Sequence, residues 1–181
     1  MKEFLKKAGL LQTFSIEIEA QKNDFISAFK KQVDDEDIGL FSDTFDVFSS
    51  SKNTYKGSID SHSFKIKRRK KFFEARNSMA LATGTFRQKG ENLVIDTEVN
   101  GFSKWMIPFY VIIILFYFVF IFIFVFGIAA QDMPFMIIPF IIIHGLLMFF
   151  IPYFVMKKSV TNMRHDLERE FYFMTRKQPN T

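Results

Sequence analysis

His62, His144 and His165 are the residues of this chain best suited to acid–base or metal chemistry. An imidazole titrates near neutral pH and ligates metals, but it needs a partner to do either usefully. His62 has Asp60 close by and Glu74 downstream, a set that could attack a lipid only if something paired its members. The spacing of His62 and His165 recruits no metal, and no HExxH, GxSxG or GxxxxGK[ST] run occurs. The acidic run Asp34-Asp35-Glu36-Asp37 fails as an EF-hand. Counted from Asp35, Gly39 falls at loop position 5 and Leu40 takes position 6, where the sharp turn needs glycine. It reads instead as a solvated loop. The absence of cysteine removes thiolate nucleophiles, disulfides and cysteine metal ligands. The expectation is a non-enzymatic protein that calls for no cofactor and no metal.

His144 stands apart because it lies inside a long apolar block. An ionisable residue at membrane depth is by default a candidate for a proton or ion relay. Neither apolar block holds Asp, Glu, Lys or Arg, so such a relay lacks a second member. A neutral imidazole bonded to the neighbouring helix or to a backbone carbonyl is the simpler reading.

The densest positive patch is Lys65, Lys67, Arg68, Arg69, Lys70 and Lys71, within a chain of net charge +5. Contact with anionic lipid headgroups suits it, since each basic residue near a membrane surface contributes about 1 kcal/mol. Nucleic acid is the weaker reading, because no recognised motif or aromatic stacking platform accompanies the charges. A solvated strand edge, on which lysines discourage further pairing, is the plain alternative.

Two apolar blocks, 105–126 and 134–156, dominate the C-terminal half. About 22 residues of helix at roughly 1.5 Å each match a hydrocarbon core of roughly 30 Å. A bilayer offers the backbone no water, so a crossing segment must be helical. Both blocks are greasy on every face, and the chain is too short to wrap two such helices in a soluble core. They are therefore expected to form a transmembrane hairpin occupying 104–156. Lys104 precedes it, Lys157, Lys158 and Arg164 follow it, and the turn between holds Asp132 and no basic residue. Basic flanks stay cytoplasmic, which places both termini in the cytoplasm and the protein in the cytoplasmic membrane. In the second block Pro139 and Pro152 lack an amide donor, so both are expected to kink the helix.

Residues 1–103 read as a cytoplasmic α+β domain, and 157–181 as a helix that returns to it. Phe14, Ile16, Ile18 and Ala20 alternate with Ser15, Glu17 and Glu19, the period of a strand packed on one side. Asn23 or Asp24 is placed to cap a helix through about Val33, with Phe25, Ile26 and Phe29 as its apolar stripe. Strand-like runs follow at 44–48, 54–60, 63–70, 79–88 and 92–100, and close spacing with a turn at Lys89-Gly90 predicts an antiparallel meander. Val160, Met163, Leu167, Phe171 and Met174 recur at helical spacing, making a stripe for the sheet to receive. A coiled-coil seam between two copies is the rival use of that stripe.

This order of strand, helix, meander and long terminal helix resembles the helix-grip arrangement of START-like domains, with a membrane hairpin inserted before the last helix. The segments Tyr55-Lys56-Gly57-Ser58-Ile59, Ser63-Phe64-Lys65-Ile66-Lys67-Arg68, Gly84-Thr85-Phe86 and Leu93-Val94-Ile95 are also similar to those of small uncharacterised bacterial two-span membrane proteins. The helix-grip resemblance implies a helix laid across a sheet that can enclose a cavity. The expected function is binding of a protein partner or apolar ligand near the membrane surface. The second reading is an oligomeric membrane effector or channel whose cytoplasmic domain senses a signal. Expected partners are anionic headgroups and a second copy or another protein, with no nucleic acid.

Overall fold

The computed structural model describes residues 1–39, 51, 53–69, 79–129 and 137–176. The chain divides into two compact units, one of Met1–Phe102 with Met156–Thr181 and one of Ser103–Val155.

The first unit is α+β. Its elements are α1 (Lys2–Lys7), β1 (Leu11–Glu19), α2 (Lys22–Lys30), β2 (Val33–Asp35), β3 (Tyr55–Ile59), β4 (Ser63–Arg68), β5 (Leu81–Lys89) and β6 (Asn92–Asn100). They build a six-stranded sheet in the order β1-β6-β5-β4-β3-β2. Four neighbouring pairs are antiparallel, but β2 runs parallel to β3, with Val33 opposite Tyr55 and Asp35 opposite Gly57. The sheet is therefore mixed, which corrects the expected all-antiparallel meander. A tight hairpin cannot join parallel neighbours, and the stretch from Glu36 to Thr54 exceeds the dozen or so residues that a crossover needs. The expected strand at 44–48 lies outside the described residues.

The start of α2 differs from the expectation as well. Its cap is Gln21, with extended backbone and no side-chain capping bond. The first free amide, Lys22 N–H, instead donates to Gln88 Oε1 on β5 at 2.8 Å, so the cap comes from tertiary structure. Val33, expected to end this helix, begins β2.

Alternation sets the two faces of the sheet. Ile16, Ile18, Phe64, Ile66, Ala82, Phe86, Leu93, Ile95 and Val99 are buried in one core with Phe25 and Phe29 of α2. The other side of that core is the terminal part of α4 (Ile137–Arg176), whose Val160, Met163, Leu167 and Phe171 are at most 1% exposed and whose Met174 is 5% exposed. All five stripe residues thus lie in the sheet core of a single chain. Phe29 and Phe171 meet edge to face at 5.4 Å, as do Phe25 and Phe171 at 5.6 Å, while Phe64 and Phe86 lie tilted at 5.3 Å. Gly84 is required here, since a Cβ on it would lie 2.4 Å from the Phe64 ring. Ser159 adds a polar tie, its hydroxyl accepting from the amides of Met79 at 2.7 Å and Ala80 at 2.9 Å.

The second unit contains α3 (Met106–Ala129) and the first part of α4. Both helices are long and apolar enough to cross a membrane, with 18-residue stretches of mean hydropathy 3.1 and 2.2. Pro139 occupies the first turn of α4, where no intrahelical donor is needed, whereas Pro152 lies inside the helix.

Phe29 is fully buried at the centre of the aromatic contacts. Phe29→Ala is expected to cost about 3–5 kcal/mol, measured by denaturant unfolding of the detergent-solubilised protein. A loss below about 1 kcal/mol would show that this ring cluster does not hold the domain together.

Candidate functional site

Strand β4 brings the basic run to the helix–sheet interface, and alternation splits its members between faces. Phe64, Ile66 and Arg68 share the inner face. The Arg68 guanidinium pairs with Asp166 of α4, both side chains being nearly enclosed at 11% and 4% exposure. Arg169 stands 3.7 Å from the same carboxylate. Tyr55, opposite Arg68 in the register, is fully buried. Glu170, one helical turn beyond Asp166, faces its hydroxyl. Neither Tyr55 Oη nor Glu170 Oε2 has a hydrogen-bond partner among the described residues. Burial, followed by the charges of Glu170 and Asp166, pushes the Tyr55 phenol well above its usual range. Burial also raises the Glu170 carboxyl, with Asp166 adding to the rise and the Tyr55 contact opposing it.

Arg69 is only 3% exposed. It donates through Nη2 to Asp34 Oδ2 at 2.6 Å and to Glu36 Oε1 at 2.8 Å. Ser51 and Asn53 also donate to Asp34, at 2.5 and 2.6 Å. Burial alone would raise the Asp34 pKa, but the bonds from Ser51, Asn53 and Arg69 outweigh it and hold the carboxyl below its ordinary value. The acidic run, expected as a solvated loop, therefore supplies the counter-charge of a buried arginine.

This divides the expected headgroup patch. Arg68 is turned toward α4 and Arg69 is buried against Asp34 and Glu36, each ion-paired, so they do not join a solvent-facing row. Lys65 is exposed on the opposite face of the sheet and Lys67 is half-buried. Lys70 and Lys71 lie outside the described residues. Two partners escaped sequence reasoning, Asp166 and Tyr55. Their only signals were a carboxylate at the flank of the α4 stripe and a tyrosine at an inward strand position.

The outer face of the sheet carries a shallow cleft of about 810 Å³. Thr13 and Ser15 of β1, Ser63 and Lys65 of β4, Thr83 and Thr85 of β5 and Asp96 and Glu98 of β6 line it. Lys2 of α1 reaches Glu98 at 3.0 Å, and Arg87 donates through Nε to Asp96 at 3.1 Å. Bonds from Ser15 and Arg87 keep the Asp96 carboxyl below its ordinary range. The face presents hydroxyls and paired charges together with the apolar surface of Phe14 and of the threonine methyls.

Within the second unit, His144 Nδ1 lies 2.5 Å from the Tyr117 hydroxyl of α3, and its ring stacks on Phe140 at 6.2 Å. Gly145 lies against the Tyr117 ring, where a Cβ would stand in ordinary contact at 3.4 Å. Tyr117 was the polar partner that sequence reasoning did not name. His62 is exposed in the β3–β4 turn, where Nδ1 bonds Ser61 Oγ at 2.7 Å rather than Asp60. His165 is exposed beside Glu168 at 3.7 Å, and Glu74 lies outside the described residues. Among the described residues no three His, Asp or Glu side chains group to hold a metal ion. Comparison with protein-family models, with curated proteins and with solved structures finds no match.

The raised Glu170 carboxyl carries a pH signature. The folded state holds this proton more tightly than the unfolded chain does. Its stabilising share is therefore complete below the ordinary glutamate value of 4.5 and is lost as pH rises through the elevated folded value. Glu170→Gln is expected to unfold at a higher temperature than the parent near neutral pH, with the gap closing as pH falls below that ordinary value. A gap that stays constant across a pH series of thermal melts would sink this assignment.

Proposed function

We propose that this chain is a membrane-anchored binding protein. The hairpin crosses the cytoplasmic membrane, and the α+β domain engages a polar protein partner near the cytoplasmic surface. The observation that carries this reading is the surface of α3 and of the first part of α4. Only 11% of the most apolar stretch of α3, and none of that of α4, is buried inside the protein. Side chains such as Phe118 and Phe140, 69% and 70% exposed, leave that surface to a hydrocarbon solvent. Lys104 before α3 and Lys157 and Lys158 after the apolar part of α4 favour cytoplasmic flanks on both sides.

Two observations favour a protein partner over an enclosed apolar ligand. The space between α4 and the sheet is occupied by the rings of Phe25, Phe29, Phe64, Phe86 and Phe171, in mutual contact at 5.3–6.5 Å. Among the described residues, an accessible concavity of the domain lies instead on the outer face, where hydroxyls and paired charges line it. Exposed lysines such as Lys65, Lys104 and Lys158 are suited to anionic headgroups.

Alkaline extraction of native membranes, followed by native mass spectrometry from mild detergent, tests both halves. The protein is expected to stay in the membrane pellet and to retain a protein partner, and Thr83→Arg, which fills the outer cleft, is expected to lose that partner while remaining membrane-bound. Release by alkali would remove the anchor, and a detergent particle holding neither lipid nor protein would remove the binding role.

A further inference from the structure

Strand β1 forms one margin of the sheet, and its ladder shows which of its backbone groups are engaged. Gly101 N–H donates to the Leu10 carbonyl at 2.9 Å, so this directly opposed pair is hydrogen-bonded. Bonded and non-bonded pairs alternate in an antiparallel ladder, which turns the amides and carbonyls of Gln12, Phe14, Ile16 and Ile18 toward β6. Those of Thr13, Ser15, Glu17 and Glu19 face the other way. All four residues are exposed, and among the described residues no other element bonds their backbone.

An open edge invites pairing, and proteins ordinarily blunt one with a short strand, Pro, Lys or a bulge. At the opposite margin β2 has three residues and is held by the Arg69–Asp34 pair. β1 has nine residues with neither Pro nor Lys, and its register runs unbroken from Leu11 opposite Asn100 to Glu19 opposite Asn92. Its side chains define what can be added. Glu17 and Glu19 project from the outer face two positions apart. Glu17 accepts from Asn92 at 2.8 Å, and among the described residues neither carboxylate is in an ion pair. Asp96 and Glu98 on β6, by contrast, already have Arg87 and Lys2. On the inner face Phe14 is half-buried, with the Arg164 guanidinium 5.6 Å from its ring centre.

We propose that the protein partner adds an extended segment to the open edge of β1, with basic side chains at two alternate outward positions to meet Glu17 and Glu19 and an apolar inward one beside Phe14. This rests on the domain's engaging a protein partner. Main-chain bonds supply the affinity of such an added strand, and the alternating side chains supply its selectivity. A second copy is the poorer occupant, because β1 paired with itself brings no basic residue to either glutamate.

The probe is a fluorescent peptide of the length of β1, alternating valine and threonine with two neighbouring threonines replaced by lysine. It is titrated by anisotropy into the full-length protein in maltoside detergent. The peptide is expected to bind, and its counterpart with glutamate for both lysines to bind about tenfold more weakly. Glu17→Lys combined with Glu19→Lys is expected to reverse that preference. Methylating one alternate set of peptide amides is expected to abolish binding and methylating the other set to spare it, as for a strand held along one edge. Ser15→Pro removes an open-edge donor without touching the β6 ladder and is expected to weaken binding about tenfold. Should that variant fail to fold, the methylated peptides on the unaltered protein still decide. Absent binding, equal binding of the two methylated sets, or no preference for lysine overturns the edge. So does a dimer of the unaltered protein that Ser15→Pro dissociates, which would give the edge to a second copy. Native mass spectrometry separates this inference from the reading beneath it. A partner lost with Thr83→Arg but kept with Ser15→Pro overturns the edge alone, whereas absence of both a protein partner and peptide binding overturns the two together.

Discussion

The domain depends on one burial event, the covering of the inner sheet face by the last turns of α4. A sheet with apolar residues on one side must hide that side, and α2 alone is too short to cover six strands. Phe171 settles the packing by meeting Phe25, Phe29 and Phe64 at once. Edge-to-face rings fill irregular space well, which explains how a chain so rich in phenylalanine builds a close-packed core without tryptophan in it. Gly84 and Ser159 serve the same closure, one by vacating space for Phe64 and the other by satisfying two amides beside the helix.

Any charge buried in the folded domain must be neutralised. A buried arginine without a counter-ion would cost several kcal/mol. Arg68 finds Asp166 on the helix, and Arg69 finds Asp34 and Glu36 at the β2 edge. The three-residue strand β2, too short to be held by its apolar content, is tied to the sheet by this ionic contact and by its parallel register with β3. Two charge runs that look unrelated along the chain are thus partners in space.

Periodic features were legible in the sequence, and tertiary ones were not. The alternation in β1 and β6 and the stripe from Val160 to Met174 each repeat often enough to specify a face. Helix α1, strand β2 and the parallel pairing of β2 with β3 carry no such repeat, since a few residues cannot establish a period. The Gln88 amide bond to Lys22 was invisible because the two lie far apart in the chain, so local capping rules pointed to Asn23 or Asp24 instead. Arg68 and Arg69 look solvated when read within a basic run. Their burial follows only from where Asp166, Asp34 and Glu36 come to rest. His144 was recognisable as an anomaly, but its contact with Tyr117 depends on how two helices meet.

The discontinuity of the first unit orders events during synthesis. Met1–Phe102 emerges first, yet the residues that cap its core begin only at Met156, after the whole of Ser103–Val155. β1 and β6 can pair early, but Phe29, Phe64 and Phe86 have no Phe171 to meet until the apolar segment has left the ribosome. A nascent chain therefore carries an uncovered greasy sheet throughout translation of the hairpin, a stage at which intermediates aggregate readily. Maturation of the domain waits on synthesis of the whole apolar segment, so, on the proposed membrane anchoring, a targeting defect would leave the domain misfolded as well as mislocalised.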